Sequence, residues 1–306
     1  MQVFSNIESA AEFLRNGSAV TIGSFDGIHI AHQSIINELA ICAEENGLKS
    51  VLVTFDPHPQ KIVSTLDVPP LLTTTAEKLR LLDDQKLDAV VVINFTRDVA
   101  AVSARDFLKK YLLEGFACRS LVIGSNHAFG HRREGNADFL RANATQYGYH
   151  LKVLEPIQFR GSRVSSMRIR REISGGDFGA ALSMLGHDLE FEGAVVHGKG
   201  LGKRLGFPTI NVTLSAEKIV PAPGVYAAYN IVDSRRRYGM MYVGDQKQEF
   251  AFEVNLFDFD GDLYGDTVSV FPTAFVRGTM QFADNGALAK QIARDEVTIR
   301  EMFNIK

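Results

Sequence analysis

The sequence predicts an α/β domain built on a parallel sheet, followed by an all-β domain and a closing helix. Three observations predict it. From residue 18 to about residue 155, short β-branched runs alternate with amphipathic helical stretches, the pattern of βαβ units. After Gly186, strand-like runs follow one another without crossover helices, which suits an antiparallel sheet or small barrel. The chain then ends on a helical stretch from Gly286 to Phe303. The expected domains are residues 1–186 and 187–306.

In the first half the predicted strands are SAVTIG, SVLVTF, AVVVINF, SLVIG and YHLKVLEP. In the first helix between them Ile35, Ile36, Leu39, Ala40 and Ala43 share a face, and Gly47 ends it. Thr74 with Glu77 reads as a capping box for the next helix, and Ser103 with Asp106 as a similar start for the third. Helices are expected near Met167–Ser174 and Phe178–Leu185. In the second half FEGAVVHG, GVYAAYNIV, FAFEVNLFDF and TVSVFPTAFV read as strands, with Asp260-Gly261 as a hairpin turn. Ligands of parallel α/β sheets bind beyond the carboxyl ends of the strands, so the loops there are where chemistry is sought.

Composition narrows the functional classes. The chain has 306 residues, 45% hydrophobic and 23% charged, with a formal net charge of −3. That charge supplies no general basic field for nucleic acid or anionic lipid, so anion binding must be local. The two cysteines, Cys42 and Cys118, fit reduced thiols better than a disulfide framework. The N-terminal MQVFSNIESAAEFLRNG carries acidic residues and no long apolar core, and no apolar run is long enough to span a bilayer. A cytoplasmic location without membrane or nucleic-acid partners is the expectation.

GSFDGIHIAHQ follows the first of these strands and opens a helix. Gly23 and Gly27 permit tight backbone geometry, and the helix N-terminus offers free N–H donors to a phosphate. His29 and His32 are three apart and share a side of the first turn. His58 in FDPHP, and Asn126, His127, His131, Arg132 and Arg133 in GSNHAFGHRR, lie at other strand ends. The histidine spacings are also compatible with a metal, though the neighbouring residues suit anions better. In GAVVHGKGLGKRLGFPTINV, Gly198, Gly200 and Gly202 with Lys199 and Lys203 form a flexible cationic loop. Thr209 and Asn211 are two apart on an extended segment and point the same way, as oxygen ligands for Mg²⁺ on a nucleotide would.

These stretches resemble known motifs. GSFDGIHIAHQ is similar to the GxFDxxHxGH motif of nucleotidyltransferases, and VSSMRIRREI to the second motif of that superfamily. GKRLGFPTIN, PAPGVYAAY and FEVNLFDFDGDLYG resemble bacterial riboflavin kinase domains. Taken together, the chain resembles the bifunctional riboflavin kinase/FAD synthetase family from about Ala19 to the final helix. The resemblance implies a Rossmann-like nucleotidyltransferase domain joined to a six-stranded antiparallel β-barrel kinase domain with a C-terminal helix. It implies that the barrel phosphorylates riboflavin to FMN with ATP and that the first domain adenylylates FMN to FAD, releasing pyrophosphate. It assigns nucleotide contacts to Gly23, Phe25, Asp26, Gly27, Ser165, Ser166 and Arg170, with His29 and His32 catalytic. In the barrel it assigns the nucleotide loop to Gly198, Lys199, Gly200 and Lys203, Mg–ATP to Thr209 and Asn211, and the general base to Glu253. Asn126 and His58 would meet the flavin.

The chain departs from the family pattern at four places. Ala31 stands where glycine is usual, Met167 where threonine is usual, and His127 where an aromatic is usual. The stretch MMYVGDQKQEFAFEV is shorter than its family counterpart. Two alternative readings follow: a riboflavin kinase with a weak or re-purposed first domain, and a non-catalytic flavin or nucleotide sensor. Retention of Thr209, Asn211 and Glu253 argues against the sensor.

Overall fold

The structure is a computed structural model that describes residues 1–64, 68–198, 200–244 and 252–305. Two compact units make up the chain, Met1–Pro69 with Thr73–Ser165, and Pro70–Leu72 with Ser166–Lys306.

The first unit is a six-stranded sheet of β1 (Gln2–Phe4), β2 (Ser18–Ile22), β3 (Lys49–Asp56), β4 (Ala89–Asn94), β5 (Cys118–Gly124) and β6 (His150–Leu154), in the order β1-β4-β3-β2-β5-β6. Every pairing is parallel. All five strands expected in this half are present, and the short edge strand β1 adds a sixth. The strands carry apolar residues on both faces because both are covered. One cluster joins Val20, Val53, Val91 and Ile123 to Leu14 of α1 (Ile7–Leu14), Phe107 and Leu112. The other joins Ala19, Leu52, Val90 and Val122 to Ile36 and Leu39 of α2 (Ile30–Asn46) and Leu82 of α3 (Thr75–Asp83).

The expected caps form. Gly47 ends α2 with φ 62. Thr74 Oγ1 accepts from the Glu77 amide at 3.3 Å while a Glu77 carboxylate oxygen accepts from the Thr74 amide at 2.8 Å. Replacing Thr74 by alanine removes one half of this reciprocal cap. The Thr74→Ala protein is expected to lose about 1 kcal/mol of stability in chemical denaturation. Ser103 caps the third helix expected, α4 (Ala104–Asp106), through the Asp106 amide at 3.1 Å, and that helix continues with π geometry over Phe107–Gly115.

The second unit opens with α5 (Ser166–Gly175) and α6 (Phe178–Leu185) and closes with α7 (Asn285–Phe303). Between them six strands form a closed antiparallel barrel: β7 (Phe191–Val196), β8 (Ile210–Leu214), β9 (Gly224–Val232), β10 (Arg235–Val243), β11 (Phe252–Leu256) and β12 (Thr267–Gly278). The spatial order is β7-β8-β11-β10-β9-β12. Residues 70–72 also belong here: Leu71 bridges Lys218, and the buried Lys218 ammonium donates to the Leu72 carbonyl at 2.7 Å.

One expectation is corrected. Asp260-Gly261 is not a hairpin turn. It lies in the connection between β11 and β12, which are not neighbours in the barrel. The tight hairpin is instead β9–β10, turning on Asp233 and Ser234, both with positive φ (50 and 58). That is the backbone a two-residue hairpin demands, supplied without glycine.

Candidate functional site

The order of the first sheet reverses direction between β2 and β5. A crevice for ligands forms at such a point, beyond the strand carboxyl ends. The loop leaving β2 carries the first motif. The Gly23 amide donates to the Val53 carbonyl at 3.0 Å, so the ladder runs one residue past the strand. The chain then turns sharply, with positive φ at Phe25 (46), Gly27 (82) and Ile28 (37). Phe25 and Ile28 are ordinary L-residues in a disfavoured region, at a cost of about 1–3 kcal/mol each. Neighbours enforce the turn. Asp26, 1% exposed, accepts from the Thr73 amide at 3.0 Å and the Thr73 hydroxyl at 3.3 Å. The same hydroxyl accepts from the Gly27 amide at 3.0 Å.

His29 is the N-cap of α2: its Nδ1 accepts from the His32 amide at 3.3 Å. A neutral ring that accepts at Nδ1 carries its proton on Nε2, leaving that N–H to donate elsewhere. The His29 and His32 rings stack, with centroids 3.6 Å apart and planes 14° from parallel. Burial first, then the His29 and Lys78 charges, hold the His32 imidazole well below its usual pKa. Ala31 is the second residue of α2. In a first helical turn alanine is the most favourable residue, so its departure from glycine needs no compensation there.

The other candidate residues lie as follows. His58 caps a short helix, Pro59–Val63, by accepting from the Gln60 amide at 3.3 Å. Asn126 is exposed in the loop after β5. His127 beside it is pushed down to about 4 by burial and then by Arg133. Ser165 ends the first unit, whereas Ser166 and Arg170 belong to the second as the start of α5. Arg170 donates through Nε to the Pro70 carbonyl at 2.6 Å. Met167 on the same turn is 71% exposed.

In the barrel, register builds the second site. Asn211 on β8 lies directly opposite Glu253 on β11, and Glu253 opposite Tyr242 on β10. Paired residues of an antiparallel sheet share a face, so these three form a row. Their flanking neighbours Val212, Phe252 and Val243 form the next pair row, fully buried inside the barrel. The row of Asn211 therefore lies on the barrel's outer side. The glycine-rich loop packs onto it. A Cβ on Gly198 would stand 2.1 Å from Asn211 Nδ2, and one on Gly202 would stand 3.0 Å from Thr209 Oγ1. Gly200 has φ 67, and Lys203 is exposed. Lys199, and most of the shortened stretch before Glu253, lie outside the described residues. Gly198→Ala must displace Asn211. Where the loop takes ATP, as the resemblance implies, the KM for ATP is expected to rise roughly tenfold or more, about 1.4 kcal/mol. Initial rates at varied ATP check this.

Two contributions escaped the sequence. Asn255 donates through Nδ2 to the Pro208 carbonyl at 2.7 Å, which fixes the segment that presents Thr209 and Asn211. Its position two residues after Glu253, on the same strand face, is the signal that could have found it. In the first unit, Thr73 just before α3 and Lys78 on it grip the turn, and nothing in their local sequence marks that role.

Each unit thus brings a glycine-bearing turn or loop against a small set of polar side chains, and the chain is a transferase of two activities. A family model described as FAD synthetase matches residues 12–168, and one described as riboflavin kinase matches residues 185–303. The chain belongs to the bifunctional riboflavin kinase/FMN adenylyltransferase family. The Escherichia coli (strain K12) protein of that name is 32% identical over 310 residues, covering 100% of this chain and 99% of its own. The Haemophilus influenzae counterpart is 30% identical, covering 99% of this chain and 100% of its own. A crystal structure named as a macrolide-efflux protein from Streptococcus pneumoniae superposes with a TM-score of 0.86 at 29% identity, covering 93% of this chain and 94% of its own. Among the described residues no helix is long and apolar enough to cross a membrane.

Proposed function

We propose that the second unit transfers the γ-phosphate of ATP to the 5′-hydroxyl of riboflavin, and that the first site then adenylylates the resulting FMN to FAD. The observation that carries this reading is the register that sets Asn211 opposite Glu253 beneath the glycine-rich loop. The functional division proposed is 1–186 and 187–306, in keeping with the two matched segments. A cytoplasmic location is proposed with it.

The donor set beneath the loop fits Mg²⁺. Thr209 offers a hydroxyl and Asn211 an amide oxygen, and hard oxygens are what that ion takes. When bound, it would neutralise charge on the phosphate oxygens. Glu253 accepts the proton of the 5′-hydroxyl as that oxygen bonds to the γ-phosphorus and ADP leaves. Gly198, Gly200 and Lys203 lie against the phosphates.

At the first site an FMN phosphate oxygen bonds to the α-phosphorus of ATP. The bond to the bridging oxygen of the β-phosphate breaks, and pyrophosphate departs. His29 donates from Nε2 to the phosphoryl oxygens as their charge develops, with His32 stacked against it. Gly23, Phe25, Asp26 and Gly27 shape the turn beneath. Asn126 and His58 meet the flavin.

Purified protein incubated with riboflavin, ATP and Mg²⁺, followed by flavin separation, tests both steps. Sequential FMN and FAD are expected. FMN without FAD, even from supplied FMN, would leave only a kinase. Tight flavin binding with no ADP formed would leave a sensor.

A further inference from the structure

We propose that Lys78 is a positioning residue for adenylyl transfer: its buried ammonium holds the turn that carries Asp26 and Gly27 beneath the stacked histidines. The proposal rests on the reading of the first unit as an adenylyltransferase.

Lys78 lies on α3 and is 4% exposed, an unusual place for a lysine. Its Nζ donates to the Ser24 carbonyl at 2.8 Å and to Thr54 Oγ1 at 3.2 Å. Thr54 Oγ1 in turn donates to the same Ser24 carbonyl at 3.1 Å, so that oxygen is held from two sides. Ser24 opens the strained turn. Two residues on, Asp26 is held by Thr73, which sits just before the cap of the same helix. The start of α3 therefore grips the turn at both of its ends. Thr73 fixes Asp26 and Gly27, and Lys78 fixes Ser24. A chain segment with positive φ at Phe25 and Ile28 relaxes unless it is held from outside.

The charge matters as well as the grip. Lys78 is faced by the carboxylates of Asp26 on the turn and Asp56 at the end of β3, which oppose the burial that lowers its own pKa. His32 is faced by Lys78 from α3 and by His29 at its own helix start, with Phe25 across the ring at 5.0 Å. A fixed cation beside the pair disfavours a second positive charge on His32. It adds to burial, the larger cause, and to His29 in favouring the neutral imidazole, able to share a proton rather than already carrying two. Removing the cation raises the His32 pKa. The protonated form then persists to higher pH, and the acid limb of the rate profile moves up.

The test compares Lys78→Met and Lys78→Arg with the unaltered full-length enzyme. FAD formation from supplied FMN is followed across pH, with FMN formation from riboflavin measured on the same preparations. Lys78→Met should lower kcat for FAD formation roughly 10- to 100-fold, with the KM for ATP changed much less. Its acid limb should move to higher pH, while FMN formation is unaltered. Lys78→Arg keeps the charge, so its acid limb should stay in place even where its rate falls. A Lys78→Met enzyme with unchanged FAD formation and an unchanged acid limb overturns the proposal. Equal losses in the two variants with no movement of either limb also overturn it, because packing alone would then explain them. If the unaltered enzyme forms no FAD, it is the adenylyltransferase reading that has failed.

Discussion

Glu253→Gln should stop FMN formation while leaving FAD formation from supplied FMN intact. The substitution keeps the side chain's size and one oxygen, so the row formed with Asn211 and Tyr242 persists. What it removes is the ability to accept a proton. General-base assistance contributes about 10²- to 10⁴-fold, so kcat for phosphotransfer should fall by roughly three decades. A lost packing contact would instead raise KM and lower stability together. Flavin chromatography with riboflavin and then FMN as substrate separates the two steps in one preparation. A Glu253→Gln enzyme with a normal kinase rate removes Glu253 from the role of base.

His29→Ala should do the reverse. One preorganised donor to a developing oxyanion supplies about 10²- to 10³-fold, and FAD formation should fall by that much with FMN formation untouched. The residue has a second job, however. Its Nδ1 caps α2, and losing a cap costs about 1 kcal/mol of stability. His29→Asn distinguishes the two. Asparagine is a strong N-cap but places no imidazole N–H at the phosphates. The asparagine enzyme should therefore recover stability in thermal unfolding without recovering FAD formation. Recovery of both would mean that the cap, and not the imidazole, supports the reaction.

Much of this architecture was legible because it is local. The runs SVLVTF and AVVVINF are buried on both faces and read as strands from composition alone. The Thr74–Glu77 box needs only four consecutive residues, and its hydrogen bonds are those the pattern demands. The two glycine-bearing loops were visible from their glycines alone, whereas the close approach of Gly198 to Asn211 depends on the fold. What was missed depends on distant partners. β10, with Arg235, Arg236 and Arg237 at its start, is missing from the predicted strands, and it is its pairing along nine residues of β9 that makes it one. Lys78 lies between Glu77 and Leu79 like any surface lysine, and its burial comes from a turn 54 residues earlier. Asp260-Gly261 misled for the same reason. A turn signal says that the chain reverses, but only the closing of the barrel decides which strands pair.

The alternation along β11 has a consequence for changing what this enzyme accepts. Phe252 and Val254 are fully buried and Leu256 nearly so, all on the barrel's inner side, while Glu253 and Asn255 serve the outer one. On β8, Val212 and Asn211 divide in the same way. Barrel packing and the proposed chemistry thus lie on interleaved positions of the same strands. A library that varies Tyr242 and other outward positions around Glu253, holding the inward ones fixed, explores new acceptor alcohols without disturbing the packing that keeps the barrel closed.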